Sequence, residues 1–410
     1  MQSSLRRPPS GISNGDNRQV IFSPIYFYSH ARRALRRSCI AAAVLATGGL
    51  PLTATIAQTA QPPWAEQLLQ ELPKVEAQGR AKIGVYVRDL DTGANASYRG
   101  EQSWYIASMV KVPIAIAVLR GVERDQFTLD TTVTLRAADY VDGAGTTNQQ
   151  PIGTHLSVRS LLEQMIIYSD NAASDMLIDL VGISEVNAAV ESLVPEGFRR
   201  ITSLAEIRRM IYGYVVPNPD RLTGQDLMRL NRERADADRL RLLSQLTDTP
   251  ASRFRTPTLE AAYRSYYATG LNSARLDAYA QLLTLLVEGR ALTPPMTDHL
   301  LRLMERVETG TRRLKAGLPS TMRFAHKTGT QRGRICDSGI ARLPEAGRER
   351  RVVIVACTRD EAALPRSEFA LMQVAAAICR SGVLTQGTPN APSCPPGPHA
   401  QHVLPAASQR

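Results

Sequence analysis

Strand-like segments occur near both ends of this 410-residue chain, and helical patterns fill the long stretch between them. The early segments alternate apolar and other residues on either side of a turn at Asp91-Thr92-Gly93, and they span 82–87 and 95–99. Strand character returns only at 322–326, 334–343 and 351–357. An isolated hairpin is marginal in water, so the early strands need the late ones as partners. The pattern predicts an α+β fold whose antiparallel sheet is interrupted by an inserted all-helical lobe at about 120–318.

Two further helical patterns lie outside this lobe, and they are expected to flank the sheet. The first spans 64–78, with apolar residues at helical spacing, and the second spans 367–380. Together with the strands they delimit a single predicted domain at 58–385. The tail at 386–410 is rich in Pro, Ser and Gly, which predicts disorder.

The first 57 residues have the layout of a secretory signal peptide. Seven Arg and one Asp precede or enter an apolar run at 39–50, which is followed by a small-residue region ending at Ala57. The sequence therefore predicts export to the periplasm or the outside, with no stable membrane insertion after cleavage. An uncleaved anchor remains open, and so does the choice between general and twin-arginine export at Arg36-Arg37.

The formal net charge of +11 does not indicate nucleic-acid binding. About half of the excess lies in the expected signal peptide, and the remainder is spread along the chain without interleaved basic and aromatic residues. Nucleic acid is therefore not expected as a partner.

Export makes disulfides possible among the four cysteines that remain after cleavage. Cys336 and Cys357 lie in two successive predicted strands, equidistant from the turn between them, so an antiparallel hairpin brings them nearly opposite each other. A cross-strand disulfide and two buried thiols both fit this placement. A pairing of Cys379 with Cys394 is suggested only because these two cysteines are left over. Zinc-type spacings are missing from the sequence, and no metal or organic cofactor is expected.

Three short motifs carry candidate chemistry, although each alone has a simple structural explanation. In Ser108-Met109-Val110-Lys111, a helix would bring the lysine amine within reach of the serine hydroxyl, which needs a base to become a nucleophile. Ser169-Asp170-Asn171 precedes an apolar helical stretch and is typical of a helix N-cap. Lys327-Thr328-Gly329 ends a predicted strand, where a lysine is ordinarily a solvated charge.

All three motifs occur in one order, each on the expected kind of element, and in this the sequence resembles the class A β-lactamase and penicillin-binding serine hydrolase superfamily. Segments around the motifs are also similar to that superfamily, at 104–107, 156–162 and 311–319. The resemblance covers roughly 64–380. It implies a cleft between the helical lobe, which carries the second motif, and the sheet, which carries the third.

The resemblance implies that Ser108 attacks a lactam or peptide carbonyl while Lys111 manages its proton. Ser169 and Lys327 would carry the proton toward the departing nitrogen. The backbone N–H groups of Ser108 and Thr330 would stabilise the oxyanion.

Substrate binding is also implied by the resemblance. Asn171 would hold the amide side chain of the substrate, and Thr328, with Lys327 or Arg334, would bind its carboxylate. Tyr140 stands about where the superfamily has an aromatic wall, although a core tyrosine is an equally good interpretation.

The sequence departs from the class A pattern where the deacylating base should be. Glu206 is the acid at about the right sequence distance after the second motif. However, Met210 stands where the superfamily has an Asn, and Asp175 stands where it has a second Asn that braces the loop. Glu206 as general base and Glu206 paired with Arg209 on a helix both remain open. An additional stretch at 217–268, rich in Arg and Asp, is either a solvated decoration or a lid or partner surface.

Three functions follow from these features. The first is a class A-like β-lactamase that hydrolyses the β-lactam amide through an acyl-enzyme on Ser108. The second is a penicillin-binding, D,D-peptidase-like or other serine hydrolase with slow deacylation. The third is an inactive domain that binds peptidoglycan or a partner, and the intact motif residues count against it. The expected partner is a small β-lactam or a peptidoglycan stem peptide, bound by a monomer.

Overall fold

The computed structural model describes residues 61–345, 348–385 and 387–394. The expected signal peptide at 1–57 lies outside the described residues. None of the helices in the described ranges combines the length and apolar character needed to cross a membrane.

Five strands form one antiparallel sheet in the order β2-β1-β9-β8-β7, which confirms that distant segments complete it. The strands of the protein are β1 Lys82–Asp89, β2 Asn95–Tyr98, β3 Ser103–Tyr105, β4 Thr132–Thr134, β5 His155–Ser157, β6 Ser273–Arg275, β7 Arg323–Gln331, β8 Arg334–Glu345 and β9 Arg348–Arg359. The third motif lies on β7, at the edge of the sheet.

Helices cover both faces of the sheet, which confirms the α+β class. They are α1 Pro63–Gly79, α2 Lys111–Glu123, α3 Val158–Ile167, α4 Asn171–Val181, α5 Ile183–Leu193, α6 Leu204–Gly213, α7 Gly224–Arg232, α8 Asp236–Thr247, α9 Leu259–Ala268, α10 Leu276–Val287, α11 Pro294–Glu305, α12 Leu314–Gly317 and α13 Leu364–Arg380. The terminal helices α1 and α13 pack against each other and bury apolar residues against one sheet face. The opposite face packs on the helical lobe.

The inserted lobe is mainly helical, but the expectation that it is all-helical is wrong. Strands β4 and β5 form a small hairpin inside it, and β6 pairs with β3, which comes from before the lobe. Each of these strands has three residues, too few for an alternating pattern to be recognised in the sequence.

Strand alternation decides which residues of β7 and β8 face the lobe. Lys327 pairs with Ser338, and Cys336 pairs with Cys357, on the face that packs on the lobe. Cys336 and Cys357 form a disulfide, with their Cα atoms 4.0 Å apart. The structure therefore has the cross-strand disulfide and not two buried thiols.

The structure corrects the predicted start of the disordered tail and excludes one of the two interpretations of the stretch at 217–268. Residues 387–394 are ordered beside the end of α13, because Cys394 forms a disulfide with Cys379 and Asn390 N–H donates to Arg380 O. Disorder from 386 onward is therefore wrong for this part, and 395–410 lie outside the described residues. The stretch at 217–268 is not a solvated decoration, since α7, α8 and α9 bury Leu227, Leu243 and Tyr266 in the lobe core.

Candidate active site

Ser108 lies on a 3-10 turn, Ala107–Val110, that leads directly into α2. Ala107 has a positive φ of 48°, a strained value for a residue with a side chain. The turn is pressed against β7, where a Cβ atom added to Gly329 would lie 2.3 Å from Ile106 O. Glycine is thus required at 329, and this close approach brings the backbone of the neighbouring Thr330 toward the nucleophile turn.

Lys111 connects the first two motifs through its amine. Lys111 Nζ donates to Ser108 Oγ at 3.3 Å and to Ser169 Oγ at 3.2 Å. It also donates to Ser169 O at 2.6 Å and to Asn171 Oδ1 at 2.7 Å. The first turn of α2 therefore places the amine beside the hydroxyl, as the spacing of the motif predicts.

Lys327 completes the arrangement from the sheet. Lys327 Nζ donates to Ser169 Oγ at 2.9 Å, so Ser169 Oγ lies between the two lysine amines. We call Ser108, Lys111, Ser169 and Lys327 the serine–lysine cluster. The cluster is a continuous chain of hydrogen bonds from the hydroxyl of Ser108 to the amine of Lys327.

Burial controls the charge of both lysines in this cluster. Each side chain is fully buried. Desolvation lowers the pKa of Lys111 to about 7, although the charges of Asp170 and Asp175 oppose the change. Desolvation, reinforced by the charge of Lys111, holds the pKa of Lys327 well below its usual range. A neutral amine beside a serine hydroxyl is able to act as a general base.

The second motif is held by its own loop. Ser169 has a φ of 64°, and Asp170 caps α4 by accepting the Ala173 N–H at 3.0 Å. Asn171 Nδ2 donates to Asp142 O at 2.6 Å while its Oδ1 accepts from Lys111. Asn171 thus positions the lysine, and the second hydrogen on its Nδ2 remains as a donor for a substrate.

The third motif is supported by an arginine that the sequence analysis did not single out. Thr328 Oγ1 lies 2.6 Å from Thr309 Oγ1, and Arg313 Nη2 donates to Thr330 Oγ1 at 2.7 Å. Arg313 is almost fully buried, and its guanidinium also contacts the Glu368 carboxylate at 3.3 Å. Its position beside Thr330 depends on how 311–319 folds back onto β7, which the sequence pattern does not reveal.

Two expected binding residues lie elsewhere in the structure. Arg334 Nη1 donates to Gly333 O and to Asp360 Oδ1, and the guanidinium stacks over the ring of Tyr267. It therefore does not reach the carboxylate position implied for it, because the tight β7–β8 turn leaves it at the far end of the hairpin. Tyr140 is 8% exposed and its hydroxyl donates to Gln150 O, so it is a packed residue of its loop and not a cleft wall.

Glu206 lies in the first turn of α6, and its side chain is open to solvent. Its side chain is 43% exposed, and Oε1 lies 3.6 Å from Arg200 Nη2. The expected pairing with Arg209 is also absent, since Arg209 Nε donates to Leu222 O. The structure therefore brings Glu206 together with neither the serine nor the helical partner considered for it.

Asp175 is, with Asp170, one of two carboxylates whose charges act on Lys111. Its two oxygens accept the N–H groups of Leu204 at 2.7 Å and Ala205 at 2.8 Å, which fixes the start of α6. Burial raises the pKa of Asp175 to about 7 despite these two backbone bonds. The side chain that replaces the expected Asn still braces this loop.

The loop is also braced by an ion pair that the sequence analysis missed. Arg208 Nε lies 2.8 Å from Asp142 Oδ1, and both side chains are largely buried. The partners are 66 residues apart, and no local pattern connects them.

A cavity of about 530 Å³ adjoins the cluster and is lined by Ala144, Gly145, Thr146, Gln164, Tyr168, Glu308 and Thr309. It lies next to the motif residues, because Tyr168 precedes Ser169 and Thr309 contacts Thr328. The described part of the chain contains no group of three or more His, Cys, Asp or Glu side chains able to hold a metal ion. Proton transfer along side chains, followed by acyl transfer to Ser108, is the chemistry this arrangement can perform.

Comparison with solved structures identifies the same fold. PBP-A superposes with a TM-score of 0.58 at 24% identity and covers 78% of this chain and 96% of its own. An ancestral class A β-lactamase superposes with a TM-score of 0.58 at 22% identity and covers 76% of this chain and 98% of its own.

Sequence comparison gives relatives named as β-lactamases. The one from Mycobacterium tuberculosis is 27% identical over 346 residues, which are 83% of this chain and 91% of that protein. ROB-1 of Haemophilus influenzae is 32% identical over 145 residues, 35% of this chain, and the chain spans only 45% of that relative. The sequence profile of the Beta-lactamase enzyme family matches residues 66–381. Because this match includes all three motifs and most of the chain, the protein belongs to the β-lactamase enzyme family.

Proposed function

We propose that the protein is an active-site serine hydrolase that opens the amide of a β-lactam through an acyl-enzyme on Ser108, and that it releases the acyl group slowly. The observation that carries this proposal is the continuous hydrogen-bonded chain of the serine–lysine cluster. A pKa near 7 for Lys111 supports it further, because a substantial fraction of the amine is neutral at that pH.

In the proposed acylation, Ser108 Oγ attacks the lactam carbonyl carbon and its proton passes to the neutral amine of Lys111. The backbone N–H groups of Ser108 and Thr330 stabilise the negative charge that develops on the carbonyl oxygen. The proton then moves through Ser169 Oγ to the ring nitrogen, the carbon–nitrogen bond breaks, and Ser108 carries the ester. Lys327, which donates to Ser169, keeps this hydroxyl oriented toward the departing nitrogen.

The carboxylate of the substrate is proposed to bind at Thr328 with Lys327. Arg313 supports this site from behind Thr330, where its guanidinium adds a positive charge. The remainder of the substrate would occupy the cavity beside Tyr168 and Thr309, with Asn171 donating to its amide side chain.

Slow release is proposed because the acid in the first turn of α6, Glu206, makes its contact with Arg200 and not with the cluster. Glu206 is half-exposed and pairs with Arg200, so it is poorly placed to activate a water on the ester. Asp175 is buried, and each of its oxygens accepts a backbone N–H group at the start of α6, so we assign it to bracing that turn and not to activating a water.

This orientation of Glu206 favours a second candidate, a penicillin-binding, D,D-peptidase-like enzyme that acts on a peptidoglycan stem peptide. PBP-A is relevant here because the solved structure of one of its point mutants is an acyl-enzyme complex with penicillin G. Both candidates share the acylation of Ser108 and differ in how fast the ester is hydrolysed. In either case we propose an exported monomer.

The experiment is a stopped assay with a chromogenic cephalosporin, followed by measurement of the intact protein mass. We expect colour development of about one equivalent per protein, followed by slow turnover and an adduct of one drug mass. Rapid turnover without an adduct would instead indicate an efficient β-lactamase. No colour and no adduct would contradict both candidates. The Ser108→Ala variant is the control, and any adduct on it would contradict Ser108 as the nucleophile.

A further inference from the structure

A second cavity, of about 470 Å³, lies on a part of the molecule that the proposed reaction does not use. Three arginines line it, Arg199, Arg334 and Arg359, together with the rings of Trp104 and Tyr267. We call it the arginine cavity. No member of the serine–lysine cluster is among its lining residues. Its walls come from β3, from the ends of β8 and β9 that lie side by side, and from the chain after α9.

Positive charge in the arginine cavity exceeds the negative charge nearby. No carboxylate is among the lining residues. Asp360 is the acid that pairs with Arg334 and Arg359, and this one side chain is shared by three cations: Arg334 at 3.1 Å, Lys82 at 3.7 Å and Arg359 at 4.0 Å. Arg199 is exposed and makes no ion pair with any of the residues that the structure describes. The cavity therefore retains uncompensated positive charge.

Two of the guanidinium groups are held in place by aromatic rings. Arg359 Cζ lies 4.4 Å from the ring centroid of Trp104, and Arg334 Cζ lies 4.7 Å from that of Tyr267. Stacking orients a guanidinium through its face and leaves its N–H edge able to donate. The hydrogen bonds of Arg359 involve Nη2, which donates to Gln102 Oε1, and those of Arg334 involve Nη1. Each group therefore keeps N–H donors for a ligand.

This combination is suited to an oxyanion. A guanidinium presents parallel N–H donors that match the oxygens of a phosphate or a carboxylate, and such charge-assisted bonds are about twice as strong as neutral ones. Because the rings already fix two of the three arginines, little side-chain entropy is lost when an anion binds. The volume exceeds that of a lone anion and lies in the range of small-molecule sites.

We propose that the arginine cavity binds a small anionic molecule through its phosphate or carboxylate group. Arg199, Arg334 and Arg359 supply the donors, and Tyr267 covers one side of the bound molecule. This is a binding site separate from the cleft at Ser108, and it does not depend on the proposed hydrolase function.

Trp104 gives the test its signal. The chain contains two tryptophans, and the other, Trp64, lies in α1. In a Trp64→Phe background the fluorescence therefore comes from Trp104, whose ring contacts Arg359. Titrations with inorganic phosphate and, separately, with succinate should each be followed by this fluorescence and by calorimetry. We expect a saturable change for at least one anion, and the one that binds identifies the anionic group. Binding should weaken at high salt.

Arginine variants locate the site. Arg199→Gln and Arg359→Gln should each weaken binding at least about tenfold by calorimetry, because each removes charge-assisted donors. Arg290→Gln is the matched control, since Arg290 is a surface residue outside the cavity and the change in charge is the same. Two cavity variants are used so that misfolding of one does not decide the result.

The outcomes separate this proposal from the hydrolase proposal. If neither anion binds saturably to a protein that β-lactams still label at Ser108, the arginine cavity is not an anion site. The hydrolase proposal is then unaffected. Equal weakening by Arg290→Gln, or none in either cavity variant, also overturns it. Saturable binding lost only in the cavity variants, and retained in Ser108→Ala, supports it even if no β-lactam is ever hydrolysed.

Discussion

The serine–lysine cluster and the first turn of α6 are two regions of one site, and they differ sharply in burial. Both lysines of the cluster are fully buried and hydrogen-bonded to the serines. The one acid of that turn, Glu206, is 43% exposed and paired with Arg200. The cluster therefore has the environment that shifts pKa values and moves protons, whereas the turn of α6 does not. In the proposed reaction, forming the acyl-enzyme and releasing it would depend on these two separate parts of the protein, of which the cluster is the more complete.

The largest effect on this comparison should come from removing the base of the cluster. Lys111→Met should slow labelling of Ser108 by a β-lactam about 10²–10⁴-fold, because the hydroxyl loses the group that accepts its proton. The rate is followed by intact-mass measurement over time. Lys315→Met, which removes an exposed lysine, is the control and should label at the normal rate. Equal labelling rates for both variants would show that Lys111 is not the base of the cluster.

The pH dependence of acylation tests the cluster without a mutation. Burial lowers the pKa of Lys111 to about 7, so the neutral amine predominates above pH 7 and the ammonium form below it. The labelling rate should therefore rise with pH, be half-maximal near pH 7, and fall about tenfold for each unit further below. A rate that is constant between about pH 5.5 and 8.5 would contradict Lys111 as the base.

Asp175 connects the two regions, and its charge should alter the midpoint of that profile. The carboxylate raises the pKa of Lys111, so Asp175→Asn should move the midpoint to lower pH. Asp298→Asn removes the same charge on α11, where it is not among the groups acting on Lys111 or on Asp175, and should leave the midpoint in place. The measurement is the pH profile of Ser108 labelling for both variants. Identical midpoints would mean that Asp175 serves α6 alone.

The smallest effect is expected at Glu206. Glu206→Gln should change the rate of adduct release less than about twofold and stability by less than about 1 kcal/mol, because an exposed ion pair contributes little. Decay of the adduct, followed by mass, and thermal unfolding measure the two quantities. A release rate reduced a hundredfold would identify Glu206 as the base and remove the contrast between the two regions.

Local signals in the sequence account for much of the fold and for the cluster itself. The period-two alternation of β1, the continuous apolar run of β9 and the equal distances of Cys336 and Cys357 from one turn predict these strands and the β8–β9 register. The motif spacing also predicts that Lys111 lies beside Ser108, because three residues along a helical turn bring side chains onto one face.

Tertiary contacts decide the rest of the site, and they leave no local signal. Arg313 reaches Thr330 only because the chain folds back before β7. Glu206 has the right sequence distance for a base, but the phase of α6, set by Asp175 and Ser203, turns it toward Arg200. Arg334 lies at the tip of the hairpin beside Asp360 and Tyr267, because one tight turn separates β7 from β8.

Gly329 limits where substitutions can change the substrate range of this protein. Its missing side chain lets β7 lie directly on Ile106, so the nucleophile turn and the sheet edge form a single rigid wall. A new substrate cannot be admitted by shifting that wall without disturbing the oxyanion site. If the protein is the hydrolase proposed above, substitutions that change its substrate range should therefore accumulate at exposed positions of the cavity beside the cluster, such as Thr146 and Glu308.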